Sequence, residues 1–327
     1  MTNGNEPLER RTFEAQRLFD EHPPVIHDPN KRVVYEIACP DGAKHAGEVV
    51  FTRWAEMELP ENVAPELAMA RVARADGFYD YAPVLPGAVE WHVNFADPHL
   101  FVAYGGGLFA QDEMQVAEHP VLGALREALA AGDGTPRTVE GGRATPVLVK
   151  GAERRCRVAT EPNAAEGRPQ GLYGNAFAAA RREAVRRATT RIEPPTVTNL
   201  IAIAAPGYGS GSYTKRQIEG ILATAFTGFR AAVIESEGAP VVIHSGFWGC
   251  GAFGGNRVLM LLLQVVAAGA AGVERLVLHL PGTKGADALE AALNVIREEL
   301  AGPSIATAEL VRRLVARRFA WGVNDGN

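Results

Sequence analysis

Apolar and polar residues alternate along the chain in blocks whose spacing predicts both strands and helices. Residues 89–95 alternate with period two, as in a half-buried strand, whereas residues 199–205 and 275–280 are continuous apolar runs, typical of buried strands. Helical spacing follows these runs at 214–231, 286–301 and 307–319. Strands that alternate with helices predict an α/β fold, here a three-layer α/β/α sandwich around a mixed β-sheet.

The front of the chain has weaker patterns. We expect residues 1–8 to be disordered, residues 9–20 and 64–74 to form helices, and residues 31–38 and 48–52 to form strands. The pattern therefore predicts an N-terminal extension on the main domain. The predicted divisions are a flexible or helical segment 1–30, accessory strands and a helix packed on the main domain at 31–85, and the main domain at 86–327.

The stretch 241–268 organises the rest of the chain. An apolar β-rich run leads into five glycines within ten residues, and a long apolar helix begins at Arg257. A strand, a glycine loop and a helix N-terminus together offer backbone N–H groups and the positive end of a helix dipole to a phosphate. A tight turn before a buried helix would have the same composition. The aromatic residues Phe247, Trp248 and Phe253 favour a nucleotide-diphosphate loop, because a base or ribose can lie against them.

A second glycine run precedes a pair of carboxylates. Residues 105–113 are Gly-Gly-Gly-Leu-Phe-Ala-Gln-Asp-Glu, and a helix is predicted to begin near Ala110. Acidic residues in a first helical turn commonly do no more than complement the helix dipole. The alternative is acid–base chemistry, because two adjacent carboxylates repel each other and one of them is then easier to keep protonated.

A third glycine-rich loop, at residues 206–212, lies between an apolar run and a helix. It matches neither the dinucleotide fingerprint nor the P-loop, since Ser212 stands where the third glycine belongs and no Gly-Lys-Ser/Thr follows. A flexible loop near the site is the favoured interpretation, and an NAD-dependent oxidoreductase built on Gly207–Gly211 is a minor alternative. The basic helix predicted at 175–188 is interpreted as a solvated face, with phosphate or nucleic-acid contact as the lesser option.

Composition narrows the class of protein. The 327 residues carry a net charge of -5, which gives no general attraction to nucleic acid, and 47% of them are hydrophobic. Three scattered cysteines argue against a disulfide framework and fit a reducing cytoplasm. The eight histidines form no zinc-ligand pair, so we expect no metal. The start is polar rather than signal-like, and the apolar run 258–271 is shorter than the ~20 residues that span a membrane.

The two motifs, Gly-Gly-Gly…Gln-Asp-Glu and then Trp-Gly-Cys-Gly-Ala-Phe-Gly-Gly before an apolar helix, occur in one order. In motif and order the chain resembles the poly(ADP-ribose) glycohydrolases, a branch of the macrodomain fold, from about residue 90 to about residue 320. The resemblance implies a macrodomain-like sandwich. It also implies hydrolysis of an ADP-ribosyl linkage without metal or redox cofactor. The partner would be ADP-ribose or an ADP-ribosylated protein, polymer or nucleic acid, with no membrane involved.

The resemblance also implies roles for individual residues. Glu113 would be the acid and base, supported by Asp112 and Gln111, and Asn94 and Asp97 would contact the ribose with amide and acid exchanged relative to the family. Tyr173 is the candidate for the family's tyrosine lid. The remaining candidate ligand-binding residues are Gly105, Gly106, Gly107, Gly246, Phe247, Trp248, Gly249, Cys250, Gly251, Ala252 and Phe253. From the sequence, Cys250 is interpreted as a small buried residue rather than a nucleophile, and Phe247 and Trp248 as loop supports.

Two departures from the family bear on substrate choice. The spacer Leu108-Phe109-Ala110 is shorter than in the polymer-cleaving enzymes, and the His279-Leu280 region offers no phenylalanine for adenine, which leaves Phe253 as the aromatic candidate. A binding module that recognises ADP-ribose without turnover is therefore the main alternative to a hydrolase. The linkage cleaved, the oligomeric state and the role of residues 1–85 stay open.

Overall fold

A computed structural model describes residues 6–322 of the chain. The expected disorder of residues 1–8 falls mainly on residues 1–5, which lie outside the described part. The strands are β1 (Glu9–Glu14), β2 (Glu48–Arg53), β3 (Asn62–Val63), β4 (Val72–Ala75), β5 (Val89–Ala96), β6 (Val139–Glu140), β7 (Arg143–Ala144), β8 (Val147–Val158), β9 (Thr189–Ala204), β10 (Val241–Ser245), β11 (Arg275–His279) and β12 (Ile305–Ala306).

The helices cover the sheet from both sides. They are α1 (Ala15–Glu21), α2 (Pro29–Ala38), α3 (Pro65–Met69), α4 (Gln111–Glu118), α5 (Val121–Ala128), α6 (Ala176–Ala179), α7 (Arg182–Ala188), α8 (Lys215–Glu235), α9 (Arg257–Ala271), α10 (Gly282–Glu299) and α11 (Thr307–Ala316). A π-helical turn, Leu129–Asp133, extends α5. No helix within residues 6–322 is long and apolar enough to cross a membrane.

Eight strands form one mixed sheet in the order β1-β2-β8-β9-β5-β10-β11-β4. The β1, β2, β8 and β9 strands pair antiparallel, whereas β9, β5, β10, β11 and β4 pair in parallel. The carboxyl ends of β5, β10 and β11 therefore lie side by side. In open α/β sheets this edge is where ligands bind, and the two glycine motifs follow β5 and β10.

Two hydrophobic clusters lie on opposite faces of the sheet. One joins Trp91 and Ile243 to α8, α9 and α10, and the other joins Leu200 and Ala202 to α1 and α5. Alternate residues of the same strands enter opposite clusters, as the pleat requires. The predicted α/β/α sandwich around a mixed sheet is confirmed.

The front of the chain departs from the prediction. Residues 31–38 form the helix α2 rather than a strand, because Asp28 caps the helix by accepting N–H bonds from Asn30 and Lys31, and Pro29 fits the first helical position. Val33 and Val34 are buried on the inner side of α2. Their β-branched side chains favoured a strand in the prediction, but burial in the tertiary structure overrides this β-propensity.

Two other front segments are mixed. The predicted helix 9–20 begins as the edge strand β1, which pairs with β2, and becomes helical only at Ala15. The predicted helix 64–74 is the short α3 followed by β4. Three strands of the main sheet thus come from before residue 86, although the domain boundary itself stays a prediction.

Candidate functional site

A cavity of about 660 Å³ opens at the carboxyl ends of β5, β10 and β11. Its volume lies in the range of small-molecule sites. Its lining includes the segment after β4, the start of α4, the loop after β8 with Tyr173, and the loop between β10 and α9. The structure thereby brings the two glycine-associated motifs to one cavity.

Gln111 ties the start of α4 to the end of β5. Its Oε1 accepts the N–H of Phe95 at 2.8 Å, and its Nε2 donates to the carbonyl of Val93 at 3.0 Å. Both bonds go to the strand backbone, so they set the position of the first turn of α4. Gln111 also lines the cavity, directly before the two carboxylates in the sequence.

Asn94 lies behind Asp112 rather than at the cavity surface. The Asn94 Nδ2 donates to Asp112 Oδ1 at 3.0 Å and to Gln115 Oε1 at 2.9 Å, and the Asn94 side chain is fully buried. The family resemblance placed Asn94 at the ribose, but it is not among the described residues that line the cavity. In this geometry its role is to hold the carboxyl of Asp112.

Glu113 is both a helix cap and a cavity residue. Its Oε2 accepts the Ala110 N–H at 3.1 Å, while the side chain is 4% exposed and lines the cavity. Burial raises the pKa of Glu113, with the ammonium of Lys31 opposing the shift. Burial and the neighbouring Glu113 likewise raise the pKa of Asp112, against the Asn94 hydrogen bond and Lys31. Two adjacent buried carboxyls hold a shared proton more readily than two charges.

Asp97 and the triple glycine lie in different surroundings. Asp97 lines the cavity, and its Oδ1 accepts the His99 N–H at 2.8 Å. Gly105, Gly106 and Gly107 are not among the described residues that line the cavity. The carbonyl of Gly105 instead accepts N–H bonds from the segment at residues 27–28. Gly105 and Gly107 lie against residues 25–28, and the ligand contact expected of the three glycines stays a prediction.

The loop between β10 and α9 keeps its predicted place, since residues 246–253 all line the cavity. Trp248 anchors this loop: it is fully buried and its Nε1–H donates to the Ile203 carbonyl at 2.9 Å. Asn256 caps α9 by accepting the Leu259 N–H at 3.1 Å. The positive end of the dipole of this 15-residue helix thus meets the cavity, as phosphate binding requires.

Arg257 adds a full positive charge at the same place. Its guanidinium lies 4.6 Å from the centroid of the Phe247 ring, and both residues line the cavity. A cation over an aromatic face is held in a defined orientation. Sequence reasoning took Arg257 only as the start of a helix. A basic residue directly after a glycine loop was the signal that could have found it.

Cys250 is buried in the loop, at 6% exposure. Burial raises the pKa of its thiol to about 12, against the attraction of Arg257 for the thiolate. The thiolate is the nucleophilic form, so this thiol is held in the unreactive state at neutral pH.

The segment 76–81 forms a strap over the cavity that sequence reasoning missed. Phe78 lines the cavity and stacks on Tyr173, with ring centroids 5.6 Å apart. The Tyr79 hydroxyl donates to the Val93 carbonyl at 3.0 Å, and Tyr81 lies 4.2 Å beneath the Arg154 guanidinium. The run Gly-Phe-Tyr-Asp-Tyr was its signal in the sequence.

The third glycine-rich loop, at residues 206–212, lies beside the loop between β10 and α9, near the site as expected. The Tyr208 N–H donates to the Phe253 carbonyl at 3.1 Å, and a Cβ on Gly207 would lie 2.9 Å from the Phe253 ring. Tyr208 and Phe253 are an aromatic pair at the cavity, with centroids 5.6 Å apart. Within residues 6–322, no cluster of three or more His, Cys, Asp or Glu side chains could hold a metal.

A comparison with protein-family models gives one match. Residues 167–285 match the family model described as poly (ADP-ribose) glycohydrolase (PARG), macro domain fold. This range contains the loop between β10 and α9 but begins after Glu113. A search of curated proteins gives no match. The matched family is the one that the two motifs resemble, and the match covers about a third of the chain.

Solved structures of bacterial enzymes are similar to this chain at low identity. The poly(ADP-ribose) glycohydrolase of Thermomonospora curvata bound to the inhibitor ADP-HPD is 14% identical, with a TM-score of 0.48, over 81% of this chain and 98% of that chain. The enzyme of Deinococcus radiodurans in complex with ADP-ribose is 12% identical, with a TM-score of 0.39, over 88% and 94%.

Proposed function

We propose, since the chain carries a PARG-like macrodomain, that it is a glycohydrolase that cleaves an ADP-ribosyl O- or N-glycosidic linkage. The observation that carries this proposal is that Glu113 and the N-terminal end of α9 face the same cavity. One supplies a carboxyl of raised pKa for proton transfer, and the other supplies a positive site for a diphosphate.

The reaction follows the general course of glycoside hydrolysis. The protonated carboxyl of Glu113 gives its proton to the leaving oxygen or nitrogen as the bond to the anomeric carbon breaks. The sugar then carries oxocarbenium-like charge, which the Asp112–Glu113 pair, now one proton poorer, stabilises. Glu113, now a carboxylate, takes a proton from the attacking water, whose oxygen bonds to the anomeric carbon. The enzyme returns to its starting protonation state, and free ADP-ribose is released.

The loop between β10 and α9 would hold the diphosphate while this happens. Backbone N–H groups near Gly249 and Gly251, the α9 dipole and the Arg257 guanidinium all favour negative charge there. The base would lie against the pair Phe253 and Tyr208, in place of the aromatic residue that is missing after β11.

The macromolecular substrate is the wider part of the proposal. ADP-ribosylated protein, polymer or nucleic acid would present the linkage, in a cytoplasmic setting that matches the scattered free cysteines. The short spacer before Gln111 makes mono-ADP-ribosyl linkages the first substrates to examine.

The test compares wild type with Glu113→Gln on automodified polymerase, mono-ADP-ribosylated protein and ADP-ribosylated DNA. We expect release of ADP-ribose by wild type and a loss of about 10²- to 10⁴-fold in the variant, the usual contribution of a general acid and base. Glu183→Gln makes the same chemical change on the exposed side of α7 and should keep full activity. If neither wild type nor variant releases ADP-ribose while both bind it by calorimetry, the protein is a binding module instead.

A further inference from the structure

The N-terminal segment 25–31 packs directly against the backbone that leads into the catalytic helix. The N–H groups of His27 and Asp28 donate to the Gly105 carbonyl at 2.9 and 3.0 Å. A Cβ on Gly105 would lie 2.3 Å from the Val25 carbonyl oxygen, so only glycine permits this approach. Residues from the weakly patterned front of the chain therefore shape the site from behind.

Lys31 is the buried charge in this contact. Its side chain is 2% exposed, and its Nζ donates to the Tyr104 carbonyl at 2.7 Å and to the Ala103 carbonyl at 3.3 Å. A buried ammonium is costly unless charges or hydrogen bonds offset its desolvation. Both carbonyls belong to the stretch just before the triple glycine, so Lys31 fixes that stretch from α2.

The charges that face this ammonium are all carboxyls. Asp28 lies on the same segment, where its Oδ1 caps α2, and Asp112 and Glu113 approach from α4. Asp97 adds a further negative charge near the α4 pair. Asp28 is committed to the helix cap, which leaves the α4 pair as the acids whose ionisation Lys31 can influence.

Lys31, Asp112 and Glu113 are all buried where α2 packs against α4. Burial lowers the pKa of Lys31 to about 8, so its ammonium is charged below that pH. A nearby positive charge favours the ionised form of a carboxyl, whereas burial and the repulsion between adjacent carboxylates favour a proton on one of the pair. Acid catalysis needs such a mixed state, because one carboxyl gives a proton while the other stabilises positive charge on the sugar.

We propose that Lys31 is a positioning residue for the hydrolytic reaction, whose buried ammonium holds the backbone at 103–104 and keeps one carboxyl of the Asp112–Glu113 pair ionised while the other retains its proton. The proposal rests on the proposed glycohydrolase function for its kinetic consequence but not for its electrostatic one. It also gives the front of the chain a role in the site.

The kinetic test is the pH dependence of ADP-ribose release for wild type, Lys31→Met and Lys31→Arg. Loss of the positive charge raises the pKa of the carboxyl pair, so the acidic limb of kcat/KM should move to higher pH by roughly one pH unit in Lys31→Met. Lys31→Arg keeps the charge and should restore the acidic limb. Arg32→Met removes an exposed cation from the same helix and should leave the limb in place. An unmoved limb in Lys31→Met would overturn the proposal.

A second measurement needs no activity. Lys31→Met should lower Tm in the wild-type background, because it leaves the ionised carboxyl without its partner charge. The loss should be much smaller in an Asp112→Asn/Glu113→Gln background, where no carboxylate remains to pair with. Equal losses in the two backgrounds would contradict the charge pairing. If wild type releases no ADP-ribose at all, the glycohydrolase proposal fails, and this comparison still decides the electrostatic role of Lys31.

Discussion

At the residue scale, Gly249 is a glycine of the loop between β10 and α9 that combines a positive φ with a close contact. Its φ of +73° lies in the left-handed region, and a Cβ there would lie 2.5 Å from the Ala205 Cβ. We expect Gly249→Ala to lose more than about 1 kcal/mol of unfolding free energy and to weaken ADP-ribose binding measured by calorimetry. Gly238→Ala has similar strain, φ +87°, with open space around it and should lose stability alone. Unchanged affinity in Gly249→Ala would show that the loop does not hold the ligand.

Asp112 should destabilise the folded protein increasingly as the pH rises. Its folded-state pKa is raised above the unfolded value of about 3.9, so the folded state binds the extra proton and stability is lost where that proton leaves. Asp112→Asn removes this penalty. The unfolding free energy of the variant relative to wild type should therefore grow from pH 4.5 to pH 8 in urea titrations. Asp287→Asn, on an exposed face of α10, should show no such trend.

Individual site residues were predictable only where a motif carried them. Glu113 and Phe253 followed from the order of two motifs, and both line the cavity. Lys31 and Gly105 could not be placed in this way, because their environment is set by contacts between segments more than 70 residues apart. The spacing of residues in the sequence does not indicate which distant backbone segment will pack against a given glycine.

At the scale of elements, long periodic stretches were predicted well and short ones were not. The predicted helices α8 and α9 and strands β5 and β10 each form near the expected residues. Each has an uninterrupted hydrophobic pattern, which specifies both the kind of element and its position in the chain. The helix α2 was wrongly predicted from Val33, Val34 and Tyr35, although the cap Asp28 and Pro29 at the first helical position were visible. Capping chemistry was the stronger signal there.

The cap of α9 links helix stability to ligand binding. Asn256→Ala removes the acceptor for the Leu259 N–H and the bond from Nδ2 to the Ala320 carbonyl, which should cost about 1 kcal/mol. We also expect weaker ADP-ribose binding, since the frayed first turn faces the cavity. Thr214→Ala removes the cap of α8, which accepts from Gln217, and should lower Tm with little change in affinity. Equal effects of both variants on affinity would argue against a diphosphate at the α9 terminus.

At the scale of the whole molecule, the alternation of strands and helices predicted the three layers of the sandwich. It did not predict the side chains on the part of the sheet that lies under the strap 76–81. Near α4, three histidines from β5, β10 and β11 lie on one sheet face beneath the strap 76–81. His92 stacks on His244 with centroids 4.3 Å apart, and His244 Nδ1 lies 2.9 Å from His279 Nε2. No helical period marks such a cluster, because its members come from three strands.

This cluster should make the molecule sensitive to mild acid. Burial lowers the pKa of His92 and lowers that of His279 to about 4. It also lowers to about 3 the pKa of His119, which follows α4 and contacts Tyr81 of the strap. The positive charge of Arg154 adds to the effect on His92 and His119. The side chains of Glu90 and Asp80 oppose it at His244. The unfolded chain, with histidine pKa near 6.5, then binds more protons than the folded one below that pH, so stability is present above about pH 6.5 and lost as the pH falls toward 4.

We expect the urea midpoint to fall from pH 7 to pH 5, although the raised pKa values of Asp112 and Glu113 act in the opposite direction over that range. A background of Asp112→Asn/Glu113→Gln removes that opposition and should steepen the fall. Adding His279→Gln to the same background should flatten it, because one buried histidine no longer titrates, whereas His99→Gln at an exposed site should not. A midpoint that stays constant between pH 7 and pH 5 in the carboxyl-free background would mean that the histidines are not held neutral by burial.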